Sequence, residues 1–236
     1  AGRPIRQLSP EHALFAAVKR GDHEALKQAI ADGADVCAPE HAERDRGHIR
    51  RGATALHFAA ERDDCKALLL LINAAASDSS HYPKLSSHPK DPEFGNGHMW
   101  EISPEGWGEP ATTWAARRGA WRAVHVMLCQ SVRRDVHILD IDGGSYGGSD
   151  QVPSPVWVAA GLGHDRIILE FARFGYLPPL SGGPTYVGDR NLINQMCEEQ
   201  EDGAGRSVCL SPLGNAAREG HASTVFLLLR LGAEIQ

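Results

Sequence analysis

Apolar positions recur along this chain at helical spacing in five short blocks, each preceded by a block rich in small residues. The apolar blocks are Ala25, Leu26, Ala29, Ile30; Ala67, Leu68, Leu71, Ile72; Ala123, Val124, Met127, Leu128; Ile167, Ile168, Phe171, Ala172; and Thr224, Val225, Leu228, Leu229. Within each block the spacing puts these side chains on one face of a helix. The preceding blocks carry paired alanines at Ala16-Ala17, Ala59-Ala60, Ala115-Ala116, Ala159-Ala160 and Ala216-Ala217. Such pairs predict thin helices whose neighbours can approach closely. Glycine separates and ends the helices: Gly21 and Gly33, Gly163 and Gly175, Gly220 and Gly232 stand twelve residues apart. The first of each pair turns the chain from one helix into the next. The second suits the left-handed residue that terminates a helix. Ser154-Pro155 and Ser211-Pro212 read as an N-cap serine followed by a first-turn proline.

Aligned on these glycines, the segments beginning at Leu14, Val156 and Leu213 superimpose, and two degraded copies begin at Leu56 and Thr112. The copy at Leu56 has Asp63 and Ala75 where the glycines belong; the copy at Thr112 keeps Gly119 and has Ser131 at the second place. The repeats run over about 9–36, 52–76, 109–132, 152–176 and 208–236. One helix pair cannot bury its own apolar face, so a repeated pair implies a stack whose core lies between units. The pattern resembles the ankyrin repeat, through Thr54-Ala55-Leu56-His57-Phe58-Ala59-Ala60 and the Gly33-Ala34-Asp35-Val36 ending. The resemblance implies an all-α fold, an ankyrin-repeat α-solenoid of stacked helix-turn-helix units in a single domain. It also implies that His57 bonds backbone to fix its turn. About function the fold itself says little.

Spacing is where this chain departs from that family. The anchors step by 42, 56, 44 and 57 residues, about 9, 23, 11 and 24 beyond a regular period of about 33. The excess falls between units, at about 37–51, 77–108, 133–151 and 177–207, and is expected to project from one edge as finger loops. Lengthening such a loop adds only about 0.6 kcal/mol per doubling. The second loop holds Tyr82, Phe94, Trp100 and Trp107, and the third holds Tyr146, in a chain that is 6% aromatic. Large rings of this kind dominate protein interfaces, although they can equally fold back onto the stack. The first loop is basic (Arg44, Arg46, His48, Arg50, Arg51). In the fourth, Asn191 to Cys197 reads as a short helix followed by a solvated acidic run from Glu198 to Asp202.

The resemblance also implies that the two residues before each turn face a concave surface. They include Lys19, Arg20, Arg62, Arg117, Arg118 and Arg218, against Glu61 and Glu219. This basic stripe, in a chain of net charge −6, suits an acidic protein partner. Phe226 and Leu227 in the last unit extend apolar character beyond the core stripe, which implies an end face covered by further chain or another subunit.

The negative charge argues against nucleic acid as a partner. No apolar run approaches the roughly 20 residues of a membrane span, which leaves peripheral association with a membrane complex open. Five cysteines without a CxxC pair indicate reduced thiols; only Cys197 and Cys209 lie near enough in one loop to suggest a bridge. With no apolar stretch after Ala1, the chain reads as soluble and intracellular, although it does not start with Met and a processed leader stays open. The Asp140 to Asp150 stretch lacks the ligand spacing of a calcium loop and the Lys of a phosphate loop. No zinc spacing, serine elbow or Cys–His nucleophile pair stands out, so no metal, cofactor or catalytic residue is assigned. The expected role is a non-catalytic interaction scaffold or accessory subunit of a larger assembly. Two alternatives stand beside it: a regulatory ankyrin segment of a larger protein, and a ligand- or metal-binding protein using His81, His88 and His98 of loop 77–108.

Overall fold

The computed structural model describes residues 9–38, 40, 53–77, 111–134, 153–177, 192–200 and 207–235. These residues are mostly helical. Ten helices run in chain order: α1 (Pro10–Arg20), α2 (His23–Ala31), α3 (Ala55–Glu61), α4 (Cys65–Ser77), α5 (Ala111–Arg117), α6 (Trp121–Arg134), α7 (Pro155–Gly161), α8 (Asp165–Arg173), α9 (Pro212–Arg218) and α10 (Ala222–Arg230). Each odd helix packs on the even helix that follows it and on the next odd one, and the even helices pack on one another in the same sequence. The core is the seam between these two rows.

Local chemistry sets the helix ends. Ser9, Ser154 and Ser211 each accept a hydrogen bond from the backbone N–H three residues on, at 3.2 Å, and a proline follows each. This satisfies an N–H that the first turn otherwise leaves without a partner. Thr54 is held differently: His57, 2% exposed, accepts from the Thr54 backbone N–H at Nδ1 (3.2 Å), with the Thr54 hydroxyl 2.9 Å from the same atom. Where a glycine follows the second helix, at Gly33, Gly175 or Gly232, that helix is nine residues long and the glycine takes a positive φ of 79–89°. Where Ala75 or Ser131 replaces it, the helix runs on to thirteen residues in α4 and fourteen in α6. A residue with a Cβ resists the left-handed conformation and continues the helix instead.

Asp63 is the exception. It occupies a turn-glycine position and adopts φ 55°, the only positive φ of a non-glycine among the described residues. Its carboxylate reaches into the next helix pair, accepting from the Ala123 backbone N–H at 2.7 Å and from Arg122 Nε at 2.8 Å. The reason lies in Ala120. At the equivalent position before α2 and α4 stand Asp22 and Asp64, which cap their own helices through Ala25 N–H and Ala67 N–H at 3.0 Å. Ala120 has no acceptor to offer α6, and Asp63 supplies it from the preceding pair. Further polar contacts cross between pairs: His23 Nε2 lies 2.8 Å from both Asp64 carboxylate oxygens, and the Thr224 hydroxyl donates to Asp165 Oδ1 at 2.5 Å.

Small residues fill the row of odd helices. Ala17, Ala59, Ala60, Ala115, Ala116, Ala159, Ala160 and Ala216 are fully buried. The alanine pairing expected at both ends differs in detail: Ala16 is half-buried, its place taken by Ala17 and Val18, and Ala217 is exposed on the last odd helix. Gly161 shows how close the approach becomes, since a Cβ there would lie 2.2 Å from Asn215 Nδ2. Between the even helices the larger side chains interlock, with Leu68, Ile72, Val124, Met127, Leu128, Ile167, Ile168 and Phe171 at 0% exposure. Each contributes about 1.5–3 kcal/mol of transfer free energy.

The all-α expectation needs one addition. The segment read as a short helix from Asn191 is a turn at 192–194, followed by strand β1 (Cys197–Gln200) paired antiparallel with β2 (Ser207–Leu210). The acidic residues Glu198 and Glu199 therefore lie in a hairpin strand. Pairing with β2 supplies the backbone partners that so short a segment cannot find as an isolated helix. The hairpin is tied down by Trp157 Nε1, which donates to Leu210 C=O at 2.8 Å. Leu177, Leu192, Ile193 and Cys197 join the core. Cys197 pairs with Leu210 and Cys209 with Glu198, so the two cysteines stand on opposite faces of the hairpin, one buried and one exposed, and all five thiols are free.

Candidate interaction surface

The C-terminal ends of α1, α3 and α5, with the residue that follows α3 and α5, bring charged side chains together. There Lys19, Phe58, Glu61, Arg62 and Arg118 line an open cleft of about 410 Å³. Its floor is aromatic: Phe58 packs edge-on between Phe15 (6.1 Å) and Trp114 (5.9 Å), and Trp114 also meets His57 at 5.1 Å. Lys19 Nζ lies 4.5 Å above the Phe58 ring, where the face of the ring attracts a cation.

The basic stripe is more nearly neutralised than the sequence led one to expect. Lys19 pairs with Glu40, which the loop base holds in place through Glu40 N–H donating to Ala53 C=O at 2.8 Å. Arg118 donates from Nε (3.0 Å) and Nη2 (2.7 Å) to Glu61 Oε1, and Arg218 donates to Glu219 Oε1 (2.9 Å) and Asn215 Oδ1 (3.1 Å). Arg20 and Arg62 are exposed and make no ion pair among the described residues. The Arg62 guanidinium sits over Gly21, 3.0 Å from where a Cβ would be. Arg117 is exposed beside Arg118. The fourth pair contributes no charge, because buried Gly161 and exposed Leu162 occupy its positions.

The stripe thus divides. Lys19, Arg62 and Arg118 come together at one cleft, while Arg218 stands apart on α9. Phe58 and Glu40 are members that the charge pattern missed. Phe58 was legible as an aromatic at a position occupied by Ala16 and Trp114 in the flanking pairs; Glu40 carried no signal, being 21 residues from Lys19. At the far end Phe226 is 64% exposed, with the Arg230 guanidinium 5.9 Å from its ring. Leu227, expected beside it, is half-buried against the core; the exposed partner is Leu229, at a position where Ile72 and Leu128 are fully buried.

Tyr82, Phe94, Trp100, Trp107 and Tyr146, the first loop's arginines, and His81, His88 and His98 lie outside the described residues. Among the described residues, no group of three or more His, Cys, Asp or Glu side chains is arranged to hold a metal ion. No described helix is long and apolar enough to cross a membrane. No known family model matches the chain, and no curated protein does.

Proposed function

We propose that this chain is an ankyrin-type solenoid acting as a non-catalytic protein-interaction scaffold or accessory subunit. In this reading an acidic segment of a partner protein lies along the cleft at the ends of α1, α3 and α5. The observation that carries it is the cleft's composition. Among the described residues Arg62 pairs with no carboxylate, Arg118 and Lys19 hold theirs at the rim, and the Phe58 ring lies beneath. A partner carboxylate can pair with Arg62, and a second can replace Glu61 or Glu40, so that binding exchanges ion pairs instead of burying unpaired charge. If Lys19 turns to a partner carboxylate, the Phe58 ring that it covers becomes open to an apolar side chain of the same segment.

The test is peptide selection by display against the whole chain and against Arg62→Glu and Arg118→Glu variants. The expected result is enrichment of acidic peptides containing an aromatic or aliphatic residue, with affinity falling about tenfold or more in either variant and with rising salt. Selected peptides without acidic bias, or ones that bind the variants equally well, overturn this surface.

A further inference from the structure

A second constellation lies away from the cleft, between the third and fourth helix pairs. Cys129 and His125 stand one turn apart on α6, and α8 brings Glu170 against them. His125 Nδ1 is 2.8 Å from Glu170 Oε2. A carboxylate accepts, so Nδ1–H donates, and the neutral ring keeps its lone pair on Nε2. That nitrogen is 3.6 Å from Cys129 Sγ, within reach of an S–H donor. Glu170 is 8% exposed, with Arg173 Nη1 4.0 Å from the same oxygen. The Phe174 ring meets the imidazole edge-on at 5.3 Å, which fixes its plane. Cys129 itself is half-buried.

Thiol, imidazole and carboxylate are thus joined in the order by which a base activates a cysteine nucleophile. Cys197, Cys65 and Cys209 lack this arrangement. Cys197 is 1% exposed, and burial pushes its thiol up to about 11. Cys65 is raised by burial and then by the Asp63 carboxylate, and its sulfur donates to Asp63 C=O at 3.8 Å. Cys209 is exposed on β2 with no imidazole bonded to it among the described residues.

We propose that His125 and Glu170 make Cys129 a reactive thiol, a modification site that hydroperoxides oxidise to the sulfenic acid. In the step, Sγ attacks one peroxide oxygen; the S–O bond forms as the O–O bond breaks. Nε2 takes the thiol proton and delivers it to the departing oxygen, which leaves as water or an alcohol. Sulfur gives up two electrons and the peroxide gains them. Glu170 is a positioning residue: it sets the tautomer and stabilises the imidazolium that forms during transfer.

The experiment treats the reduced full chain with limiting hydrogen peroxide, traps sulfenic acid with dimedone, and follows Cys129 and Cys209 separately by peptide mass spectrometry. Cys129 is expected to react about tenfold or more faster than Cys209, since general-base assistance is commonly worth at least that. In His125→Gln the ratio is expected to fall to near one, and in Glu170→Gln to an intermediate value. A merely structural His125–Glu170 contact predicts the opposite sign, because loosening the seam exposes Cys129 and raises its labelling. A wild-type ratio near one, or a ratio that holds or rises in His125→Gln, overturns the proposal. Should His125→Gln fail to fold, the wild-type and Glu170→Gln ratios decide.

Discussion

Asp63 carries two opposed contributions that substitution can separate. Its φ of 55° is strained for a residue with a Cβ, by about 1–2 kcal/mol, and glycine removes that strain. Against this, its carboxylate caps α6 through the Ala123 N–H at 2.7 Å, a contact of the kind worth about 0.5–2 kcal/mol. The pair with solvent-exposed Arg122 adds little. Asp63→Ala loses the cap and keeps the strain, and is expected to destabilise by the cap's contribution alone, about 0.5–2 kcal/mol. Asp63→Gly loses the cap but relieves the strain, so it should lie about 1–2 kcal/mol above the alanine variant and within about 1.5 kcal/mol of wild type. Asn keeps an acceptor oxygen and tolerates the left-handed region, so Asp63→Asn should cost less than about 1 kcal/mol. Urea unfolding followed by circular dichroism is expected to rank Ala as the least stable of the four proteins, with Asn close to wild type and Gly clearly above Ala. An alanine variant as stable as wild type would show that the cross-pair cap contributes nothing, and a glycine variant no more stable than alanine would show that the turn carries no strain.

Three further outcomes follow from buried groups. Thr112 and Thr113 are fully buried with hydroxyls that find no partner among the described residues, and Thr112 stands where the other pairs have Leu14, Leu56, Val156 and Leu213; Thr112→Val is expected to raise the unfolding free energy by about 1 kcal/mol in the same urea assay. Gly161→Ala forces a Cβ to within 2.2 Å of Asn215 Nδ2, which also donates to Trp157 C=O at 3.1 Å, and should lower stability by about 1–3 kcal/mol, with Asn215→Ala in the same chain recovering part of the loss. Burial holds the Cys197 thiol at about 11 against an ordinary 9.0, so the unfolded chain gives up this proton first. Its contribution is fully present below about pH 9 and is lost as pH rises through 11, on the order of 2–3 kcal/mol in total. The stability difference between wild type and Cys197→Ala should narrow or reverse over that window, and parallel curves would refute the burial argument.

What the sequence disclosed is what a single helix pair decides for itself. The glycine spacing was legible because Gly21, Gly33, Gly119, Gly163, Gly175, Gly220 and Gly232 all answer a local need for positive φ. The serine–proline starts were legible for the same reason. The hairpin was not. Cys197–Gln200 has no strand pattern of its own and becomes a strand only by pairing with Ser207–Leu210. At the candidate surface the positions of the cations could be read, but not their neutralisation, since Arg118 and Glu61 are 57 residues apart and meet only across two helix pairs. The thiol site divides in the same way: His125 and Cys129 sit at a readable spacing of four, whereas Glu170, which orients the imidazole, is 45 residues from His125.

Departures from the repeat pattern become intelligible in pairs. Gly161, which has no side chain, faces Asn215, which fills the space; Ala120, which has no cap, is served by Asp63. If each departure exists because of the other, the pair must be coupled, and the second case allows a clean cycle. Ala120→Asp restores the local cap found at Asp22 and Asp64. In the wild-type chain the new carboxylate competes with Asp63 for one N–H and brings two like charges together, so it should destabilise. In Asp63→Gly the same change should stabilise, because the turn regains its glycine and α6 regains an acceptor within its own pair. The cycle predicts a coupling of about 1–2 kcal/mol favouring the double variant, as expected for residues sharing one partner. Additive effects would mean that Asp63 and Ala120 diverged independently, and that the bond to Ala123 is an accident of the turn instead of its cause.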